Sequence, residues 1–215
     1  MQELTTIQLL IVLAPPLILA ITLHEVAHGW MALRCGDTTA KARGRLSLNP
    51  LRHVDPVGTV LIPGLLALFG GFIFGWAKPV PVDYHRLRQP KRDMALVALA
   101  GPAVNGLMAL AWAALILVGH GARTALPWLG EPLMAMGLAG VDVNVMLGVL
   151  NLVPIPPLDG SRVLAGVLPD RFGRAMAQME PYGLIILVVL LVSGILNLMP
   201  VVVALRKVIL NLFFF

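Results

Sequence analysis

Long stretches without a charged residue alternate with short charged segments along this chain. Four stretches lack Asp, Glu, Lys and Arg, and they cover residues 4–23, 56–77, 94–119 and 183–205. A fifth stretch, 133–158, is interrupted only by Asp142. Each approaches the length of about 20 apolar residues that a helix needs to cross a bilayer. The pattern predicts an all-α polytopic membrane protein with about four to six transmembrane helices.

The composition supports a membrane protein and changes how the net charge is interpreted. Hydrophobic residues make up 58% of the 215 residues and charged residues only 13%, whereas about a quarter of the residues of a soluble protein are charged. The net charge of +5 comes from basic residues in short loops beside apolar stretches. This arrangement predicts contact with the anionic cytoplasmic leaflet of a lipid bilayer rather than with nucleic acid.

The charged segments are too short to form domains of their own. The longest, 34–55, 78–93 and 159–182, fall below the usual domain minimum of about 50 residues. A single membrane-embedded domain over residues 1–215 is therefore predicted. Cys35 is the only cysteine, so no internal disulfide is expected.

Basic residues predict the topology, because they concentrate in cytoplasmic loops. The loops around 34–52 and 78–92 are both basic, and both are placed on the cytoplasmic side only if the segment 56–77 enters the membrane and returns. Its prolines and glycines suit such a re-entrant segment, and a glycine-rich spanning helix is the alternative. The predicted spanning helices are 6–33, 94–119, 133–157 and 183–205. For the last, a break at Asn197 to Pro200 followed by an interfacial helix is the alternative, because a full span would leave Arg206 and Lys207 outside.

The first apolar stretch leads into the sequence His24-Glu25-Val26-Ala27-His28. His24 and His28 lie one helical turn apart, which places both imidazoles on one face at a spacing that suits zinc, with Glu25 beside the attacking water as general base. The alternative is a pair of packed histidines. Ionisable groups within a membrane segment are costly and by default mark function, so the motif predicts a Zn²⁺ site.

A zinc ion that keeps one position for water needs a third protein ligand. Asp159 is the best candidate, because it follows the prolines that end the helix 133–157 and precedes Gly160, which permits a turn. An aspartate in an ordinary turn is the alternative. Both Asp159 and the histidine motif fall toward the cytoplasmic ends of their helices in the predicted topology.

Three motifs together resemble the site-2 protease family. They are the His-Glu-x-x-His helix, Gly101-Pro102-Ala103-Val104-Asn105, and the stretch from Asn151 to Gly160 that reads Asn-x-x-Pro-x-x-x-Leu-Asp-Gly. The resemblance implies an intramembrane zinc metalloendopeptidase of regulated intramembrane proteolysis, acting on transmembrane or membrane-anchored proteins. It implies His24, His28 and Asp159 as zinc ligands, Glu25 as catalytic base, and Asn105 and Asn151 as substrate-binding residues.

For the two asparagines, hydrogen bonding that only fixes helix packing is the alternative. The segments 44–50, 53–56 and 75–80 also resemble a small prokaryotic branch of the family without inserted PDZ or CBS modules. The active site is expected toward the cytoplasmic side of a plasma membrane. Short β elements are expected near that face, because an exposed strand edge within 40–50 or 77–83 would pair with an extended substrate.

Two other functions compete with proteolysis. A di-iron membrane oxygenase needs more histidine ligands than the five in this chain supply. A catalytically silent metal-binding scaffold or transporter fits the apolar composition, and the presence of Glu25 within the motif argues against it.

Overall fold

A computed structural model describes residues 5–61, 65 and 77–214 of the chain. Within these residues seven α-helices follow one another: α1 Thr6–Arg34, α2 Thr39–Ala42, α3 Pro90–Ala122, α4 Pro127–Asn151, α5 Asp159–Val167, α6 Asp170–Val192 and α7 Met199–Phe214. Helices α1, α3, α4 and α6 are long and apolar enough to cross a membrane. The prediction of an all-helical, multi-pass membrane protein is confirmed.

Helix α1 begins and ends where its sequence satisfies the free backbone groups. The Thr5 side chain accepts a hydrogen bond from the Gln8 N–H, and the Gln8 side chain accepts one from the Thr5 N–H, which forms a capping box. The helix ends before Gly36, whose φ of +108° is a conformation open mainly to glycine. The first turns expose Ile7 and Leu10 to the extent of 71% and 61%, as lipid-facing residues require.

Helix α3 packs against α1, α4 and α5. Its contact with α4 is close, because Ala109 and Ala113 are fully buried and a Cβ at Gly140 would overlap the ring of Trp112. Small residues allow helix backbones to approach within a membrane, where van der Waals packing drives association. Val202 of α7 completes this core.

The segment 183–205 is not one spanning helix, and the alternative of a break followed by a second helix describes the structure. Helix α6 ends at Val192 and α7 begins at Met199, so the break lies between these two residues. Gly194 lies between them with a φ of +72°. The side chain of Asn197 then accepts a hydrogen bond from the Met199 N–H at 3.1 Å, which caps the new helix. Helix α7 lies against α4, and Arg206 pairs there with Asp142 at 2.6 Å.

The predicted β elements near the cytoplasmic face are not found in the described residues. The segment 40–50 contains part of α2 and a bend leading into the turn Pro50–Arg52, and residues 77–83 are irregular. Pro79 and Pro81 supply no N–H to a strand ladder. The N–H groups of Lys78, Val80 and Asp83 donate to groups outside the segment. Most of the predicted re-entrant segment, residues 62–64 and 66–76, lies outside the described residues, and only the helical turn Pro56–Leu61 and residue 65 are described.

Candidate metal centre

Two histidines of α1 face the same point because they lie one helical turn apart. The Nε2 atoms of His24 and His28 are 3.0 Å from one another, and the rings meet edge to face with centroids 4.6 Å apart. His24 is only 8% exposed. Two imidazole nitrogens at this distance need a proton or a cation between them.

Asp159 opens α5 and directs its carboxylate at the two histidines. Its Oδ2 lies 3.2 Å from His24 Nε2 and 3.3 Å from His28 Nε2. The start of α5 sits directly against the end of α4, because a Cβ at Gly160 would overlap the Leu152 carbonyl. Burial by itself raises the pKa of the Asp159 carboxyl, but His24 and His28, when they are protonated at Nε2, outweigh this effect through hydrogen bonds and positive charge and lower the pKa to about 2. The carboxyl is therefore ionised at neutral pH, as a metal ligand must be.

The three side chains fit a zinc ion. Their ligand atoms all lie within 4.8 Å of one another, and two imidazoles with one carboxylate leave a fourth position for water. Asp159 Oδ2 is buried and accepts no hydrogen bond from any residue in the described part of the chain. A buried carboxylate oxygen in this condition is costly unless a cation satisfies it.

Gly101 leaves the imidazoles the space that they occupy. A Cβ added to this residue of α3 would lie 2.5 Å from His28 Nε2 and 2.6 Å from His24 Cε1. Real Cβ atoms do not approach other atoms that closely, so any side chain at this position would displace the rings. The backbone of α3 therefore forms one wall of the site.

The outward-facing nitrogens of both histidines are also engaged. His28 Nδ1 lies 2.7 Å from the Val97 carbonyl oxygen, which can only accept a hydrogen bond, so Nδ1 carries the proton and Nε2 presents its lone pair to the metal site. His24 Nδ1 lies 2.6 Å from Asn105 Oδ1. Asn105 is fully buried, and its Nδ2 donates to Asn144 Oδ1 at 2.9 Å.

Glu25 is held by the irregular segment 77–83. The Val80 N–H donates to Glu25 Oε2 at 2.7 Å. The Val80 side chain packs against Gly29, where an added Cβ would lie 2.9 Å from Val80 Cγ1. The segment thus docks on the face of α1 that carries Glu25, one turn before Gly29.

Arg45 fixes this segment to the preceding loop. Its guanidinium is buried, with the residue 8% exposed, and donates to the backbone carbonyls of Lys78 at 2.6 Å and Pro79 at 3.3 Å. It also donates to the carbonyl of Arg52. The Lys78 N–H donates to the His53 carbonyl at 2.9 Å.

Other polar residues, including the predicted substrate-binding Asn151, lie outside the cluster of ligand atoms. Asn151 Nδ2 donates to the Leu147 carbonyl at 3.0 Å, one turn earlier in α4. His53 is 2% exposed, with its Nε2 2.8 Å from the Ser47 carbonyl. Asp55 accepts from the backbone of the following turn. His85 is exposed in a short helical turn.

Sequence reasoning did not identify several groups that shape the site. The Val80 N–H and the Val97 carbonyl are backbone groups, which carry no residue-specific signal. Asn144 forms, with Asp142, a polar patch of the predicted helix 133–157 whose purpose the sequence does not indicate, although an amide within an apolar helix needs a partner. Arg45 has no signal that separates it from the other basic residues of its loop.

Comparisons with known proteins indicate a zinc metalloprotease. The family model described as Peptidase family M50 matches residues 129–194. The "Putative zinc metalloprotease YwhC" of Bacillus subtilis is 38% identical over 207 residues, which cover 92% of this chain and 88% of that protein.

Two proteins named "Putative zinc metalloprotease Rip2" are also similar. The one from Mycolicibacterium smegmatis is 34% identical over 181 residues, and the one from Mycobacterium tuberculosis H37Rv is 36% identical over 184 residues. Each match covers 84% of this chain and 66% of the relative. No solved structure matches the chain significantly.

Proposed function

Because this chain belongs to peptidase family M50, the site-2 protease family, we propose that it is a zinc metalloendopeptidase that cleaves membrane-spanning or membrane-anchored proteins. The observation that carries the proposal is the convergence of His24, His28 and Asp159 beside Glu25, on helices of which α1 is long and apolar enough to span the bilayer. Regulated intramembrane proteolysis is the process that such an enzyme would serve.

The chemistry divides between the metal and Glu25. Zinc held by His24, His28 and Asp159 would supply a Lewis acid that polarises the peptide carbonyl and makes water more acidic. Glu25 takes the proton from the attacking water and returns it to the leaving amine. The Val80 N–H donates to Oε2 of Glu25, and this contact holds the carboxylate in place for proton transfer.

The substrate must expose a peptide bond before it can be cleaved. A spanning helix hides its peptide groups in internal hydrogen bonds, so the substrate unwinds locally at the site. Asn151 remains the candidate for contact with the extended substrate. Both ends of the Asn105 amide are engaged with other side chains, which favours a role in holding His24 over contact with substrate.

We propose that the active site faces the cytoplasm and that the segment 56–77 is re-entrant. The Lys78 N–H donates to the His53 carbonyl at 2.9 Å, so the residues on either side of the predicted re-entrant segment 56–77 lie next to one another, which supports this proposal. The flanking loops are basic, as cytoplasmic loops are.

Cysteine labelling tests this topology. In a Cys35→Ala background, Arg52→Cys and Arg88→Cys should both react with a membrane-impermeant thiol reagent only when the cytoplasmic face is accessible. Both positions are exposed. Labelling of the two positions from opposite sides would exclude the re-entrant arrangement, and labelling of both from outside would reverse the orientation.

Metal removal tests the proposed activity. Purified protein in detergent should contain one zinc ion per chain, and it should cleave at least one of a panel of membrane-anchored substrates. A chelator should abolish cleavage, and stoichiometric zinc should restore it. A protein that binds zinc and cleaves no substrate in an adequate panel would favour the metal-binding scaffold or transporter, and a chelator-resistant cleavage would contradict a metalloprotease.

Arg45→Met is expected to lower the cleavage rate about tenfold with zinc content unchanged, because a displacement of about 1 Å at a catalytic group costs about 100-fold and a smaller displacement is expected here. The guanidinium holds the carbonyls beside Val80, and its loss should loosen the N–H contact with Glu25. The control is Arg43→Met, which removes an exposed arginine from the same loop. Equal rates for the two variants would show that Arg45 does not act through this segment.

A further inference from the structure

A continuous chain of hydrogen bonds leads from the metal site into the core between α3 and α4. It runs from His24 Nδ1 to Asn105 Oδ1 at 2.6 Å, from Asn105 Nδ2 to Asn144 Oδ1 at 2.9 Å, and from Asn144 Nδ2 to the Gly140 carbonyl at 2.9 Å. Both asparagines are 0% exposed. We call this arrangement the amide chain, and it joins three helices, α1, α3 and α4.

The direction of the amide chain is fixed at its far end. The Gly140 carbonyl can only accept a hydrogen bond, so Asn144 must donate through Nδ2 and present its oxygen to Asn105. Asn105 must then donate through its own Nδ2 and present its oxygen to His24. The Nδ1 of His24 therefore carries the proton, and its Nε2 presents a lone pair toward Asp159 and His28.

The reverse orientation would disable the ligand. If the Asn105 amide turned over, its NH₂ group would face His24 Nδ1, the imidazole proton would move to Nε2, and this nitrogen would no longer bind a metal. The contact between Asn105 and His24 does not by itself fix the orientation of the amide, because the amide oxygen can bond to one tautomer of His24 and the NH₂ group to the other. The orientation is fixed by the hydrogen bond to Asn144, a residue that forms no hydrogen bond with His24.

We propose that Asn144 is a positioning residue for the metal site, which sets the orientation of the Asn105 amide and thereby keeps His24 in its metal-binding tautomer. The inference rests on the proposed zinc site. A residue that hydrogen-bonds directly to a metal ligand typically changes metal affinity by about 10- to 100-fold when it is replaced. Asn144 lies one link further from the metal, so the lower end of this range, about tenfold, is expected.

The test compares Asn144→Leu with Asn144→Asp. Leucine is similar in size and removes the acceptor, so the affinity for zinc, measured by competition with a chromophoric chelator, should fall about tenfold. Aspartate keeps an acceptor oxygen toward Asn105 Nδ2 in either protonation state, so it should restore most of that affinity. The thermal unfolding of the metal-free protein is measured for each variant as a separate readout.

A purely structural role predicts a different pattern. Val145 is the next residue of α4 and is buried in the same helix contact, at 5% exposure, and Val145→Ala should lower the unfolding temperature of the metal-free protein without changing its zinc affinity. If Asn144→Leu behaves in the same way, or if Asn144→Asp binds zinc as weakly as Asn144→Leu, Asn144 does not orient the ligand.

A reference variant separates this inference from the proposed function. His24→Ala should lose zinc binding. If it retains wild-type affinity, the ligand assignment itself is wrong and the proposed function fails. If His24→Ala loses zinc while Asn144→Leu binds it like wild type, the metal site stands and only the role of Asn144 is overturned.

Discussion

Replacing Glu25 with glutamine is expected to slow peptide hydrolysis about 10³-fold, within the range attributed to general acid–base catalysis. Glutamine matches glutamate in shape and cannot take a proton from water. Its side-chain oxygen can still accept the hydrogen bond that the Val80 N–H donates to Oε2. The segment 77–83 should therefore stay docked on α1, and the loss should reflect proton transfer rather than a change of structure.

The measurement is the cleavage rate of a membrane-anchored substrate by purified protein, together with zinc content. Zinc should remain at one ion per chain, because Glu25 is not among the three grouped ligand residues. Glu131→Gln provides the control, since this glutamate is exposed near the start of α4. If Glu25→Gln and Glu131→Gln both cleave at the wild-type rate, another group is the catalytic base.

Helix number and approximate position were predictable because the membrane imposes one simple requirement. A spanning helix must be apolar over about 20 residues, and charge-free stretches reveal this directly. The predicted helix 6–33 differs from Thr6–Arg34 by one residue. The same criterion failed for 183–205, because Ser193 and Gly194 are as uncharged as their neighbours although the chain turns there.

The short β elements were predicted from a functional requirement rather than from a residue pattern. An extended substrate needs backbone partners, but backbone donors of the segment 77–83 already bind side chains elsewhere in the chain. The Val80 N–H binds Glu25, and the Asp83 N–H binds the carboxylate of Asp37 at 2.7 Å. The fixed spacing of a strand ladder is thus replaced by contacts to individual side chains, which no periodicity in the sequence encodes.

The metal site was predictable to the extent that its residues are chemically distinctive. Helical geometry alone brings His24 and His28 together, since their separation is four residues. Asp159 follows from the need for a third ligand, and the structure places its carboxylate beside both histidines. The groups that hold these ligands in place were not predictable in the same way. The amide chain depends on the register between α3 and α4, and the pattern of apolar and polar residues does not determine that register.

Register between helices is also what makes Gly101 critical. From the sequence alone, a glycine in an apolar helix can serve several purposes, including a kink or close helix packing. The structure gives it one specific reason, since its missing side chain would occupy the position of the two imidazoles. The wall of the site is consequently a backbone surface, and the metal-binding geometry depends on the distance between α1 and α3 as much as on the ligands themselves.

Gly101→Ala is therefore expected to weaken zinc binding about 100-fold, near the upper end of what overpacking a rigid core produces. The added Cβ would lie 2.5 Å from His28 Nε2, and relief requires rotation of the imidazoles away from Asp159 or separation of the helices. The control is Gly106→Ala in the same helix, where an added Cβ meets nothing within 4 Å and helix propensity favours alanine. Chelator competition on both purified variants measures the effect. Equal zinc affinities would mean that the rings do not occupy the space beside Gly101 when metal is bound.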